Sequence, residues 1–244
     1  MTAPSLTGKV ALVTGSTRGI GRAIAEALAA LGARICVHGP DEGDAARVAD
    51  EIGGEARTFA ADLADAAATA ALAERIGQID ILVLNASIEI RKDWLQVSVA
   101  EMQAQHEVNL RATLQLLQAI VPGMRARGWG RVVALGSVQE SRANLVHLVY
   151  AGQKAAQTNM ILTLARTLAD TGVTFNVIQP GAIHTDRNAA VLADPEFRAQ
   201  VTARIPSRRL GTAQDIVGVA TLLCSHEGAY INGATLAVDG GLRL

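Results

Sequence analysis

Cysteine is nearly absent: Cys36 and Cys224 are the only two in the 244 residues, and neither belongs to a CxxC or Cys/His cluster. That argues against a thiolate metal site and fits a reducing compartment. The five histidines, His38, His106, His147, His184 and His226, are scattered without ligand spacing, so no metal is expected. Charge of one sign is also lacking, with a formal net charge of -1, which leaves no electrostatic footprint for nucleic acid or an anionic membrane. No apolar run approaches the ~20 residues that span a bilayer, and residues 1–10 lack the basic start and apolar run of a secretory signal. The expectation is a cytoplasmic protein with no membrane and no nucleic-acid partner. Repeats, low-complexity tracts and Pro/Gly/Ser-rich linkers are missing too, so a single domain spanning 1–244 is expected.

What is present is half apolar, enough to bury a sizeable core. Short β-rich apolar runs alternate with longer helical patterns along the whole chain. The strand candidates are Lys9–Thr14, Arg34–His38, Ala56–Ala60, Asp80–Asn85, Arg131–Leu135, Thr174–Ile178 and Thr235–Val238. Most are continuously apolar, as strands buried on both faces should be, which predicts a seven-stranded parallel sheet with helices on both faces, a doubly wound α/β domain of Rossmann type. Ile20, Ile24, Leu28 and Leu31 recur at helical spacing and Gly32 follows as a stop. Ser98 with Glu101 resembles a capping box, opening a helix that runs towards Pro122. A further helix is expected over Tyr150–Leu168. The stretch 181–211 has no clear period and is too long for a connector, so a substrate cover with short helices is expected there.

Directly after the first strand comes Thr14-Gly15-Ser16-Thr17-Arg18-Gly19-Ile20-Gly21, with an amphipathic helix starting inside it. Glycines so placed allow a tight turn and close approach of backbone to a pyrophosphate, while the helix N-terminus offers free amides to the anion. This wording, TGxxxGIG, resembles the short-chain dehydrogenase/reductase family. The resemblance extends over essentially the whole chain: Asp62-Leu63, Asn85-Ala86-Ser87, Asn109, Ser137, Tyr150 with Lys154, and Pro180-Gly181 with Thr185 arrive in family order. It implies that Gly15, Ser16, Arg18, Gly19, Ile20 and Gly21 cradle the dinucleotide phosphates, and that Asp62 and Leu63 hold the adenine. It further implies that Asn85 and Ala86 lie beside the ribose, and that Pro180, Gly181, Ile183 and Thr185 contact the carboxamide and phosphates. Ser87 departs from the family's usual glycine. The acid that NAD-preferring members carry after the second strand is missing, since that place reads His38-Gly39-Pro40-Asp41. Arg18 either neutralises a 2'-phosphate or is a solvated surface residue. NADP or NAD is therefore the expected cofactor, with a lean to NADP.

Reducing a ketone builds negative charge on oxygen, so the site needs a hydrogen-bond donor and a proton source. Ser137 and Tyr150 can supply these. A tyrosine ordinarily titrates near pH ~10, and a cation one helical turn away lowers that value by stabilising the phenolate. Lys154, four residues after Tyr150, meets that spacing. By resemblance, Tyr150 and Lys154 also touch the nicotinamide ribose, and Asn109 holds a water that relays protons from Lys154.

The residues beside these are polar: Glu89, Arg91 and Lys92 after Asn85-Ala86-Ser87, Gln139, Glu140 and Arg142 after Ser137, His147 before Tyr150, and Arg187 at the start of the cover. A polyhydroxylated or carboxylated small molecule would find partners in Arg91, Gln139, Arg142, His147 and Arg187. Among branches of the family, the pattern looks most like gluconate 5-dehydrogenases. The alternatives are a 3-oxoacyl-carrier-protein reductase or general carbonyl reductase, for which Arg125, Arg127 and Arg131 are candidate carrier-protein contacts, and a non-catalytic dinucleotide-binding regulator. The family also implies a homotetramer built partly on the closing strand.

Overall fold

A computed structural model describes residues 5–142 and 144–244; the first four residues of the stretch read for a secretory signal lie outside them. In chain order the elements are β1 (Val10–Val13), α1 (Gly19–Ala30), β2 (Arg34–Gly39), α2 (Glu42–Ile52), β3 (Arg57–Ala60), α3 (Ala66–Ile76), β4 (Ile81–Leu84), α4 (Val99–His106), α5 (Ala112–Ala126) and β5 (Gly130–Leu135). There follow α6 (Leu148–Thr167), β6 (Val173–Pro180), β7 (Ile183–His184), α7 (Asp186–Leu192), α8 (Pro195–Ala203), β8 (Gly211–Thr212), α9 (Ala213–Cys224) and β9 (Thr235–Val238). Seven strands pair in parallel in the order β3-β2-β1-β4-β5-β6-β9. All seven strand candidates are therefore present, with ends moved by one or two residues.

Alternate side chains of each strand feed opposite faces. In β1, Leu12 joins the core under α3, α5 and α6, while Ala11 and Val13 join the core under α1, α2 and α9. The helical stripe foreseen for α1 is real, with Ile24 and Leu28 fully buried. Chain order reverses between β1 and β4, and there the carboxyl ends of the strands open a crevice, the position at which open α/β sheets bind ligands.

Two helix readings need correction. The helix opened by Ser98 does carry its capping box, Glu101 N–H donating to Ser98 Oγ at 3.2 Å and Ser98 N–H to Glu101 at 2.8 Å. It is then interrupted by a π-turn at Glu107–Arg111, and α5 runs through Pro122 to Ala126. Proline inside a helix costs about 3 kcal/mol, but Ile120, Val121 and Met124 are buried in that last stretch and their packing carries the turn past it. The 181–211 stretch contains α7 and α8, with a short parallel pairing of β7 to β8 closing its base. No helix among the described residues is long and apolar enough to cross a membrane.

Candidate active site

The turn after β1 is built for an anion. Gly15 and Gly19 hold φ of +64° and +58°, a region that costs a side-chain-bearing residue strain. A Cβ on Gly15 would also stand 3.1 Å from the Ala86 backbone. The first turn of α1 holds no acidic residue and no side chain caps it, so its amides are left for a ligand. The turn is fastened from both sides. Asn85 Nδ2 donates to Thr14 O at 2.9 Å and Gly15 O at 3.1 Å, while Thr14 Oγ1 accepts from the amides of Asn85 and Ala86. On the other side His38 Nδ1 accepts from Gly15 N–H at 3.1 Å, and burial pushes its imidazole down to about 4, which keeps it neutral and able to accept. Ser16, expected to contact the cofactor, is fully buried, and its hydroxyl accepts from His38 N–H at 2.9 Å; Thr17 takes the cleft position instead. Gly21 likewise packs beneath the turn against Gly15 and Asn85.

One continuous cleft runs from this turn across the sheet end. It is lined by Arg18, Gly19 and Ile20 at one end, by Asp62, Leu63, Asn85, Ala86 and Ser87 along its floor, and by Pro180, Gly181, Ile183 and Thr185 on the opposite rim. Leu63 O is held by Arg111 Nη2 at 2.6 Å. Gly39 explains the missing acid after β2, because a Cβ there would fall 2.6 Å from the Thr17 methyl. A second arginine stands near Arg18: Arg47 of α2 lines the same mouth, paired with Asp44 at 3.3 Å and Glu51 at 2.9 Å. Sequence spacing gave no sign of this, since Arg47 reaches the mouth only once α2 has folded back on β2.

Further along the cleft Ser137, Tyr150 and Lys154 converge. Ser137 follows β5, with its amide donating to Glu140 Oε1 at 2.7 Å and its hydroxyl accepting from Gln139 N–H at 3.1 Å. Lys154 lies one turn after Tyr150 on α6, its ammonium 5.9 Å from the phenol ring centroid and almost fully buried. It donates to Leu135 O at 2.7 Å and to Gln157 Oε1 at 2.9 Å. Gln157 donates on to Thr113 Oγ1 at 2.9 Å, which donates to Asn109 O at 3.0 Å. The link between Lys154 and Asn109 is thus a chain of side chains, and Gln157 and Thr113 were not anticipated. Asn109 itself, aimed by the π-turn, accepts from Ile88 N–H and donates to Ile88 O, both at 3.0 Å, which pins the loop after β4.

In the cofactor-free site Lys154 is not among the groups that lower the phenol. Burial, with the Glu89 charge, pushes Tyr150 up to about 12, against smaller opposing effects of Arg187, Ser137 and Ser87. Burial pushes Lys154 down to about 7, assisted by Arg187. Desolvation is the largest effect on each of the two groups, and the cation that lowers the phenol is Arg187.

The cleft also receives Arg91, Gln139, Arg142, His147 and Arg187. Arg187 bridges from α7 to Ser87, donating to its carbonyl at 2.7 Å and its hydroxyl at 3.1 Å. Arg125, Arg127 and Arg131 do not reach this cleft. They flank the amino end of β5, opposite Ser137 at the carboxyl end; Arg131 is buried on the carbonyls of Ser225 and Gly130, and Arg127 is tied to Ile79 O and Asp80.

A glycine turn shaped for phosphates, opening into a Ser-Tyr-Lys cluster, defines a dinucleotide-dependent oxidoreductase. A family model described as enoyl-(acyl carrier protein) reductase matches residues 15–243. The 3-oxoacyl-[acyl-carrier-protein] reductase of Escherichia coli K12 is 38% identical over 241 residues, covering 97% of this chain and 98% of the relative. A Beutenbergia cavernae structure assigned as an NAD(P)-dependent gluconate 5-dehydrogenase, with NADP at low occupancy, superposes with a TM-score of 0.94 at 39% identity and 98% coverage of both chains. An Agrobacterium tumefaciens 3-oxoacyl-(acyl-carrier-protein) reductase with NADP bound reaches 0.93 at 41% identity, covering 97% of this chain and 95% of that one. The chain belongs to the short-chain dehydrogenase/reductase family, as an NAD(P)-dependent oxidoreductase.

Proposed function

We infer that this protein interconverts a secondary alcohol and a ketone on a sugar acid or polyol, using NADP in preference to NAD. The observation that carries the reading is that the glycine turn, Ser137, Tyr150 and Lys154 share one cleft, whose remaining lining places Glu89, Arg91, Arg142 and Arg187 among apolar side chains such as Val146, Val191 and Phe197. The donor set fits a dinucleotide. The α1 amides would take the pyrophosphate, Asp62 and Leu63 the adenine, Asn85 and Ala86 the ribose, and Ile183 and Thr185 the carboxamide. Tyr150 and Lys154 would take the nicotinamide ribose. Arg18 and Arg47 at one mouth, with no room for an acid at Gly39, support the 2'-phosphate form, which the two NADP-bound neighbours also hold.

When bound, the nicotinamide supplies or accepts the hydride. The protein's share is proton handling and charge stabilisation. Ser137 Oγ and Tyr150 Oη donate to the substrate oxygen as charge builds on it. A phenol held up at about 12 keeps its proton until that oxygen becomes more basic than itself, then delivers it. Lys154, fixed by Leu135 O and Gln157, stands behind to compensate the charge left on the phenol. The chain through Gln157 and Thr113 to the Asn109 carbonyl holds the ammonium in place, and a water beside Asn109 would be the source from which Lys154 and the phenol regain a proton.

Arg91, Arg142 and Arg187 are candidates for a substrate carboxylate, with Gln139 and His147 beside them. The 181–211 segment would act as the cover, Arg187 being its contact with Ser87 across the cleft. A homotetramer is supported by the uncovered edge of β9 and the fully exposed Tyr230 and Leu244 nearby. A second reading, reduction of a 3-oxoacyl thioester, is favoured by the identity to the Escherichia coli reductase. Glu89, Arg91, Arg142 and Arg187 in the lining weigh against it, because an acyl chain lying on them would strip water from charges without pairing them. A regulator that only binds the dinucleotide has no use for Ser137 and Tyr150 set around one point. The test is a screen of sugar acids, polyols and oxoacyl thioesters with both cofactors, followed by absorbance of the reduced nicotinamide. Activity on sugar acids or polyols with NADP is expected; turnover confined to thioesters would overturn the substrate class, and tight cofactor binding without turnover would revive the regulator.

A further inference from the structure

Glu89 has no part in the proton chemistry above, yet it is a carboxylate set in the cleft wall close enough to Tyr150 to raise its phenol. Its side chain is only 11% exposed, and the residue lines the same cleft as Ser137 and Tyr150. Oε1 lies against His147 Nδ1 and 3.5 Å from Arg91 Nε. Oε2 has no hydrogen-bond partner among the described residues. Despite burial, the carboxyl is held below its ordinary value by His147, Arg91 and Arg187, so the group is an anion throughout neutral pH. Oε2 is not sealed from the cleft, so a ligand there can donate to it. His147 is fixed in turn by its place in the turn entering α6, where its amide donates to Asn144 O at 3.1 Å, one helical turn before Tyr150.

A second acceptor stands in the same cleft. Gln139 Oε1, two residues past Ser137, is buried and has no partner among the described residues. Two open acceptors select among ligands. A carboxylate, phosphate or ketone oxygen brings no proton to either, and an apolar chain would leave both unpaired. An ammonium would sit beside the guanidiniums of Arg91 and Arg187. A hydroxyl satisfies an acceptor without adding charge.

We propose that Glu89, oriented by His147, is a specificity-determining group that accepts a hydrogen bond from a hydroxyl on the carbon next to the reacting carbinol, so that the substrate class is vicinal diols and the corresponding hydroxy ketones. This rests on the alcohol/ketone reading above but is independent of any substrate carboxylate.

The experiment compares reduction of 3-hydroxy-2-butanone with 2-butanone by NADPH-loaded enzyme; both are neutral and differ by the one hydroxyl. The wild type should favour the hydroxy ketone in kcat/KM by about tenfold or more, the discrimination of one hydrogen bond to a charged acceptor. In Glu89→Leu the ratio should fall to near one, whatever happens to either absolute rate, with Glu89→Gln and His147→Gln between. No preference in the wild type, or an unchanged ratio in a folded Glu89→Leu protein, overturns the proposal. If Glu89→Leu does not fold, the Glu89→Gln ratio decides in the same way. If neither ketone is reduced, the alcohol/ketone reading fails for small substrates. The subsite is then decided by calorimetry of NADP-loaded enzyme with 2,3-butanediol against 2-butanol: diol-selective heat that Glu89→Leu abolishes supports it, and equal or absent heat ends it.

Discussion

Replacing Tyr150 by phenylalanine removes one hydroxyl and leaves the ring in place. That ring is only 8% exposed, so its packing against the wall of α6 is retained. The hydroxyl faces Ser137 and Ser87, whose presence lowers the phenol slightly against the larger upward push of burial. Losing it therefore costs folding no more than about 1 kcal/mol, the net value of an ordinary hydrogen bond. Catalysis loses its proton donor, an effect of roughly 10² to 10⁴ in rate, or about 3–5.5 kcal/mol in the barrier. Steady-state rates of reduced-nicotinamide consumption would read the second quantity, thermal unfolding the first, and a fluorescence titration with the dinucleotide would separate both from cofactor binding. The phosphate turn and Lys154 are untouched, so the dissociation constant should stay within about threefold. Turnover within about tenfold of the wild type would refute the role of the phenol, and so would a loss of cofactor affinity large enough to account for the fall in rate.

Lys154 carries a pH signature in the cofactor-free protein. Its folded value of about 7 lies below its ordinary 10.5, so between these limits the unfolded chain binds the extra proton and stability rises with pH. The wild type should thus gain on Lys154→Met by up to about 1.4 kcal/mol per pH unit above pH 7 in thermal or denaturant melts, and a pH-independent gap would contradict the burial of a titrating ammonium. Gln157→Leu removes an acceptor that favours the ammonium, so the limb of the pH–rate profile belonging to Lys154 should move to lower pH, and an unmoved profile would reduce Gln157 to packing. Arg18→Ala should weaken NADP by about ten- to a hundredfold while leaving NAD nearly unchanged, as read by paired titrations; equal losses for both would put Arg18 on the pyrophosphate.

The fold was legible because parallel strands buried on both faces are written as unbroken apolar runs, such as Ile81–Leu84, and those runs cannot be mistaken for solvated loops. The glycine turn and the Tyr150–Lys154 pair were legible for a related reason: each depends on local geometry, a strand end or one helical turn, that sequence spacing expresses directly. The π-turn that aims Asn109 was not, since only its contact with Ile88, across the β4 loop, makes the extra residue worthwhile. Pro122 misled in the opposite direction, because packing at Met124 overrode a local penalty. Arg125, Arg127 and Arg131 looked like a patch by proximity in sequence, whereas their actual partners are carbonyls and Asp80 at the far end of β5.

The wall that selects substrate is hardest to read because no two of its members are local to one another in the decisive sense. Ser87 and Arg187 are 100 residues apart and each, taken alone, is an oddity: a side chain in a place that favours none, and a cation at the head of a surface helix. Together they form a bridge across the cleft, so the serine supplies an acceptor for the guanidinium. Glu89 and His147 repeat the pattern, a buried carboxylate made tolerable by an imidazole delivered from the turn before α6. Each polar departure in this wall is therefore balanced by another from a different segment. Gln139 Oε1, buried without a partner among the described residues, and Glu89 Oε2, open to the cleft, are where the protein's own structure stops supplying partners and a hydroxylated substrate would begin.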